Sequence, residues 1–214
     1  AMIQRMEKTV SRNRKIALTG ALCALVVVLG MPPLHLGMIP LGPNASITIM
    51  HIPVLLAVML SGGASALASG IAVGTVFGVF SLILAAITPT GALDPLFINP
   101  AVSVLPRALL AAAAWLLWRL LSLIPHLPKT VSAAFAAFIS TLVHTCFVVG
   151  ALYIFAGGRM MSAMGGKGFI AVLLLLLPNA LLEAAAAAIV CAAVIASATV
   201  VAGKKSKLSQ EDKN

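Results

Sequence analysis

The chain has 214 residues, of which 61% are hydrophobic and only 9% are charged. A soluble domain carries about 25% charged residues, so this composition excludes a water-exposed surface and predicts a polytopic membrane protein. The formal net charge of +9 does not indicate nucleic-acid binding, because most cations precede the first apolar segment or follow the last one, which is the pattern of a membrane topology signal.

Six apolar segments are candidates for membrane spans, each of which needs about 20 residues. The second is short unless the loop before it dips into the membrane. In chain order the predicted spans cover about residues 16–31, 46–60, 64–87, 102–124, 131–156 and 169–201. The predicted fold is an all-α membrane protein with structured Pro/Gly-rich outer loops, made of a basic N-terminal segment (1–15), one six-helix membrane domain (16–201) and a polar tail (202–214).

The distribution of cations predicts the orientation. Six spans put both termini on one side, together with the turn between the fourth and fifth spans, and these regions hold most of the cations. Only Arg159 and Lys167 lie in loops on the other side. Because cytoplasmic loops carry an excess of Lys and Arg, both termini are expected to be cytoplasmic. The loops at about 32–45, 88–101 and 157–168 then face outward.

The second and third spans carry unusual residues. The stretch "IPLGPNASITIMHIPVLLAVML" starts as a Pro/Gly-rich loop and continues into a helix, with Thr48 and His51 near the helix start. Pro53 follows, in a first turn where its missing N–H is tolerated. In the third span, Gly70, Gly74 and Gly78 recur at four-residue spacing, a pattern that lets helix backbones approach closely.

Ionisable side chains within spans are costly and mark candidate functional sites. The chain has His51, Arg107, His144 and Glu183, with Asn99 and Asn179 as polar companions. One reading is that they satisfy one another, for example through a Glu183 contact with Arg107 or His144, or that Arg107 pairs with Asp94. The other reading is a ligand site, in which Arg107 binds an anionic group. No HExxH or GxSxG motif occurs, so the sequence does not favour an enzyme.

Three segments of the sequence carry a resemblance to a known family. They read "RKIALTGALCALVVVLG", "IPLGPNASITIMHIPVLLAVMLSGGASALASGIAVGTVFGVFS" and "INPAVSVLPRALL", within about residues 14–125. Together they resemble the substrate-binding S components of energy-coupling factor (ECF) vitamin transporters. Within that family, "ITIMHIPV" and "NPAVSVLPR" look most like the pantothenate-type branch.

The resemblance implies a high-affinity binding subunit of an ABC importer in the cell membrane of a prokaryote. Such a subunit is not an enzyme and has no cofactor of its own. It pairs with a transmembrane coupling subunit and two cytoplasmic ATPases that hydrolyse the ATP, in agreement with the lack of a Walker motif in this sequence. Family members carry an AxxxA motif on the first helix that contacts the coupling subunit. Ala17 and Ala21 match it, and Ala24 extends the small-residue face.

The resemblance also implies roles for the polar residues. The loop from Pro40 to Thr48 would close over the ligand, and Arg107 would be the counter-ion of its carboxylate. The remaining pocket residues would be Asn99, Thr48, His51, Asn179, His144 and Glu183. The expected pocket is poor in aromatic residues, which favours a flexible acid such as pantothenate over a flat, stacked ring.

Other functions stay open at this point. The ligand could be another vitamin or a nucleobase-like precursor. In a different class, the chain could be an autonomous ion-coupled secondary transporter, which would take up substrate without partners. A structural membrane protein would bind no small molecule.

Overall fold

The computed structural model describes residues 2–31, 37–42, 45–63, 65–89 and 93–211. Parts of the predicted outer loops (32–36, 43–44 and 90–92), residue 64 and the end of the predicted tail (212–214) lie outside the described residues. The elements are α1 (Met2–Gly30), β1 (Met38–Gly42), β2 (Ala45–Thr48), α2 (Ile52–Ser61), α3 (Ser65–Ile87), a 3-10 turn (Asp94–Ile98), α4 (Pro100–Leu121), α5 (Lys129–Ala163) and α6 (Phe169–Glu211).

The architecture is predominantly helical, as predicted, but the count of six full spans is not confirmed. Among the described residues, five helices are long and apolar enough to cross a membrane: α1, α3, α4, α5 and α6. Helix α2 has 10 residues and is about 15 Å long, roughly half the thickness of the hydrocarbon core. Both α1 and α6 extend past the predicted limits of their spans, into the basic N-terminal segment and the polar tail.

A hairpin of β1 and β2 precedes α2, and here the predicted helix start at Ser46 is wrong. The two strands are antiparallel, with Met38 opposite Thr48. The β-branched run from Ile47 to Ile49 favours a strand, and the helix begins only at Ile52. Pro53 lies in the first turn of α2, as predicted.

Helix α2 lies at the centre of the bundle. All of its residues from Ile52 to Met59 are buried, and it packs against α1, α3, α4 and α6. A helix that is apolar on every side is suited to such a position. Helix α2 is therefore enclosed by four longer helices.

The glycines of α3 lie against α4, which confirms the predicted close approach. A Cβ built on Gly74 would lie 2.5 Å from the carbonyl oxygen of Arg107, and one on Gly78 would lie 2.6 Å from the Cα of Val104. Gly70 faces Ala111 and Val58 in the same way. Because no side chain intervenes, α3 fixes the backbone of α4 on either side of Arg107.

Helix α5 continues beyond its predicted end. Its backbone is non-helical at Ala156 (φ −138°, ψ 21°), where the prediction placed the end of the fifth span. The chain then resumes a helix through Gly157 and Gly158 as far as Ala163. Part of the predicted 157–168 loop is thus a short helical extension set off by a kink.

Candidate functional site

Arg107 lies in α4 directly after Pro106, and this order of residues explains how its side chain is held. Proline has no N–H, so the carbonyl four residues earlier loses its helical donor. That carbonyl belongs to Val102, and the Nη1 of Arg107 donates to it at 3.0 Å. The guanidinium thus satisfies a backbone acceptor that the proline leaves open. Only 8% of Arg107 is exposed.

Two phenyl rings contact the guanidinium. The Cζ of Arg107 lies 5.3 Å from the ring centroid of Phe77 and 5.0 Å from that of Phe97, both within cation–π range. Phe77 comes from α3, between Gly74 and Gly78. Phe97 comes from the 3-10 turn, whose position is fixed by the hydroxyl of Ser103, which donates to the Phe97 carbonyl. These contacts leave the Nε of Arg107 buried and without a hydrogen-bond partner.

His144, from α5, lies beside this arginine. Its Nδ1 is 3.2 Å from the carbonyl oxygen of Pro106. A carbonyl can only accept, so Nδ1 carries the hydrogen, and Nε2 is an acceptor when the ring is neutral. The imidazole lies 6.4 Å from the Phe77 ring, which is also one of the two rings that contact the Arg107 guanidinium. Arg107, His144 and His51 are all buried, and we call these three residues the basic cluster.

A second group joins the hairpin to α6. The backbone N–H of Thr48 donates to Oε1 of Glu183 at 2.8 Å, and the side-chain amide of Asn179 donates to the same oxygen at 3.2 Å. Glu183 is 14 residues into α6, so the end of β2 lies about 21 Å along that helix from its start. The end of the hairpin thus lies well along the length of α6.

Thr48 connects the two groups. Its N–H donates to Glu183, and it precedes His51 by three residues in the chain. The alternative reading paired Glu183 with Arg107 or His144, but among the described residues its hydrogen bonds are with Thr48 and Asn179. One end of the site is therefore basic and the other carries a carboxylate.

Asn99 stands apart from both groups. It is the N-cap of α4, and its Oδ1 accepts from the backbone N–H of Ala101 at 3.0 Å. This is the ordinary role of asparagine at a helix start. Its side chain is exposed, whereas the basic cluster is buried.

Buried polar atoms without partners concentrate at this site. Among the described residues there are five such side-chain atoms, and three belong to predicted site residues: Nε of Arg107, Nε2 of His51 and Oδ1 of Asn179. Because buried polar groups are nearly always satisfied, this set makes the site the candidate place for a polar ligand.

The sequence-based reasoning missed the aromatic contacts of Arg107. The pocket was expected to be poor in aromatic residues, yet Phe77 and Phe97 both lie against the guanidinium. Phe77 could have been found from its place between Gly74 and Gly78, since those glycines predict the face of α3 that meets α4. Phe97 had no such signal, because its position depends on how the 88–101 segment folds back.

We expect the hydrogen bond from Thr48 to Glu183 to hold the end of the β1–β2 hairpin against α6. In Glu183→Ala, the Thr48 amide should exchange hydrogen roughly tenfold to a hundredfold faster, because a hydrogen bond to a charged group contributes about 1.5–3 kcal/mol. Glu183→Gln keeps an acceptor oxygen and should show a smaller increase. Hydrogen exchange of the detergent-solubilised protein measures this. Asn179→Ala is the control, because it leaves the Thr48 bond in place; equal exchange in wild type and Glu183→Ala would contradict the assignment.

The fold and the site together define a class: a membrane protein with buried polar residues among its helices. The particular family follows from comparison with known sequences. A family model described as "ECF transporter, substrate-specific component" matches residues 14–195, so the chain belongs to this family. No curated protein matches the chain significantly.

Membership of this family has direct consequences. Its members are substrate-binding subunits of transporters rather than enzymes, with a small-molecule substrate and an ECF module as partner. The predicted resemblance to S components is thereby confirmed at the level of the family. The apolar helices agree with a membrane protein.

Proposed function

We propose that this S component binds pantothenate, or a closely similar flexible carboxylate, and delivers it to an ECF-type ABC importer. The proposal rests on the contacts of the Arg107 guanidinium and on its one nitrogen without a hydrogen-bond partner. Its guanidinium lies against two phenyl rings, one nitrogen is used by Val102, and Nε has no partner. A carboxylate can accept from Nε and the adjoining Nη2 in parallel, in the planar geometry that arginine favours.

The other end of the site suits the rest of this ligand. Pantothenate carries a carboxylate at one end, an amide in the middle and two hydroxyl groups at the other. Glu183 and the unpartnered Oδ1 of Asn179 are acceptors for hydroxyl donors. His144 lies beside Arg107, and the buried His51 has an unpartnered Nε2; either ring can bond the carboxylate or the amide. Another vitamin with an anionic end would use the same basic cluster, whereas a neutral nucleobase-like ligand would leave Arg107 without a partner.

The test is calorimetry on the solubilised wild-type chain with pantothenate and with panthenol, in which an alcohol replaces the carboxylate. We expect saturable binding of one pantothenate per chain and binding of panthenol weaker by roughly tenfold to a hundredfold or more, which corresponds to the loss of a charge-assisted hydrogen bond of about 1.5–3 kcal/mol. Equal affinity for the two compounds would contradict a carboxylate ligand at Arg107. The absence of any binding would contradict pantothenate as the ligand.

Coupling to partners is proposed to use the small-residue face of α1. Ala17, Ala21 and Ala24 are all exposed on that helix, and a Cβ built on the neighbouring Gly20 meets nothing within 4 Å. A face of small residues allows another helix to approach closely within the membrane. The chain would sit in the cell membrane with both termini cytoplasmic and associate there with the coupling subunit and two ATPases.

Replacing Ala17 and Ala21 together with leucine should abolish uptake in cells that contain the whole transporter, because the bulky side chains prevent that approach. Ligand affinity of the isolated variant should stay unchanged, since both positions are exposed and far in sequence from the basic cluster. The exposed apolar pair Leu116 and Leu120 on α4, changed to alanine, is the control and should keep uptake. Gradient-driven uptake by vesicles that hold this chain alone would instead identify an autonomous secondary transporter.

A further inference from the structure

A groove separate from the basic cluster opens between the 3-10 turn Asp94–Ile98 and the kink of α5. It has a volume of about 660 Å³, and its walls include Ile98 on one side and the stretch from Ile154 to Arg159 on the other. The non-helical backbone at Ala156 turns the end of α5 aside. Gly157 faces open space, because a Cβ built there meets no atom within 4 Å.

The polarity of the groove changes along α5. Ile154 is 76% exposed, Phe155 46% and Ile98 47%. Exposure of such large apolar side chains is costly in water but favourable against lipid chains. Arg159, also exposed, follows five residues after Ile154, beyond the kink at Ala156. An apolar stretch is thus capped by a cation at the end of a span, the order in which the acyl chains and phosphate of a phospholipid lie.

We propose that this groove binds one anionic phospholipid, with its phosphate on Arg159 and an acyl chain along Ile154 and Phe155. Arginine pairs with phosphate through parallel hydrogen bonds, and the apolar wall buries the chain against Ile98. Asn99 also lines the groove, so a polar side chain besides Arg159 is available to the headgroup. The proposal is independent of which vitamin the basic cluster binds.

A single short element, the 3-10 turn Asp94–Ile98, contacts both the groove and the ligand site. Leu96 and Ile98 of the 3-10 turn line the groove, while Phe97 of the same turn contacts Arg107. A lipid in the groove would therefore pack against the segment that holds an aromatic ring on the guanidinium.

Native mass spectrometry of the full chain with phosphatidylglycerol or phosphatidylcholine tests the proposal. We expect wild type to bind one phosphatidylglycerol more tightly than phosphatidylcholine. Arg159→Gln should weaken phosphatidylglycerol binding about fivefold, the usual effect of one cation near an anionic headgroup. Gly157→Leu keeps the charge but fills the groove, and should weaken binding at least as much. Lys167→Gln, which removes a nearby exposed cation outside the groove, should leave binding unchanged.

Three results would overturn the proposal. Unchanged phosphatidylglycerol binding in both Arg159→Gln and Gly157→Leu would exclude the groove. An equal loss in Lys167→Gln would show general attraction to surface charge rather than a site. Displacement of phosphatidylglycerol by pantothenate from wild type would show that the groove belongs to the path of the transported ligand.

Discussion

Arg107→Ala is expected to lower the affinity for pantothenate by roughly tenfold to a hundredfold or more, while the affinity for panthenol stays close to that of wild type. The loss follows from removing a charge-assisted hydrogen bond in a buried site, which contributes about 1.5–3 kcal/mol. Panthenol has no carboxylate and should be insensitive to the change. Arg107→Lys keeps the charge but loses the planar fork, so it should recover only part of the affinity.

Arg119→Ala is the matched control for this experiment. Arg119 lies on the same helix, and its Cζ is 5.4 Å from the ring centroid of Trp115, so it also has an aromatic contact. It is exposed at the opposite end of α4 and should not affect either ligand. If Arg107→Ala lowered the affinity for both compounds equally, or for neither, Arg107 would be a structural residue that satisfies Val102 and not the counter-ion.

Gly74→Ala is expected to destabilise the protein and to weaken ligand binding, because the added methyl would lie 2.5 Å from the backbone oxygen of Arg107. A backbone atom cannot move aside as a flexible side chain can, so α3 and α4 must separate. Such overpacking costs typically about 1–3 kcal/mol, or roughly 2–12 °C in Tm for a chain of this size. Thermal unfolding in detergent and calorimetry with pantothenate measure the two effects.

Gly150→Ala separates this clash from the general effect of glycine in a helix. Both substitutions gain up to about 1 kcal/mol of helix propensity, but a Cβ built on Gly150 in α5 meets nothing within 4 Å. Its Tm should be equal to or above that of wild type. Equal Tm and equal affinity in the two variants would mean that the distance between α3 and α4 does not position Arg107.

Much of the helical framework could be predicted from the sequence, because it depends on local hydropathy. The limits of α3 and α4 lie within three residues of the predicted spans, and the glycine repeat predicted the close contact of these helices. The hairpin could not be predicted in this way. Its end is held by a bond between Thr48 and Glu183, which are 135 residues apart, and no local pattern encodes such a contact.

The candidate site was predicted in its residue types but not in its arrangement. The sequence indicated Arg107, His144 and Glu183 as site residues only because ionisable side chains are rare in membrane spans. Their grouping into a basic cluster and a separate carboxylate depends on which helices are neighbours. The role of Pro106, which frees the acceptor used by Arg107, follows from elementary backbone chemistry and could have been inferred from the Pro-Arg order.

The central position of α2 has a consequence for how the chain is made. A helix of 10 residues is too short to be held across the bilayer by its own hydrophobicity, and its packing partners include α6, which is synthesised last. During translation the hairpin and α2 can therefore reach their final position only after the later helices have been inserted. Assembly of the ligand site should be the last step of biogenesis, and a chain truncated before Glu183 should be integrated in the membrane yet unable to bind.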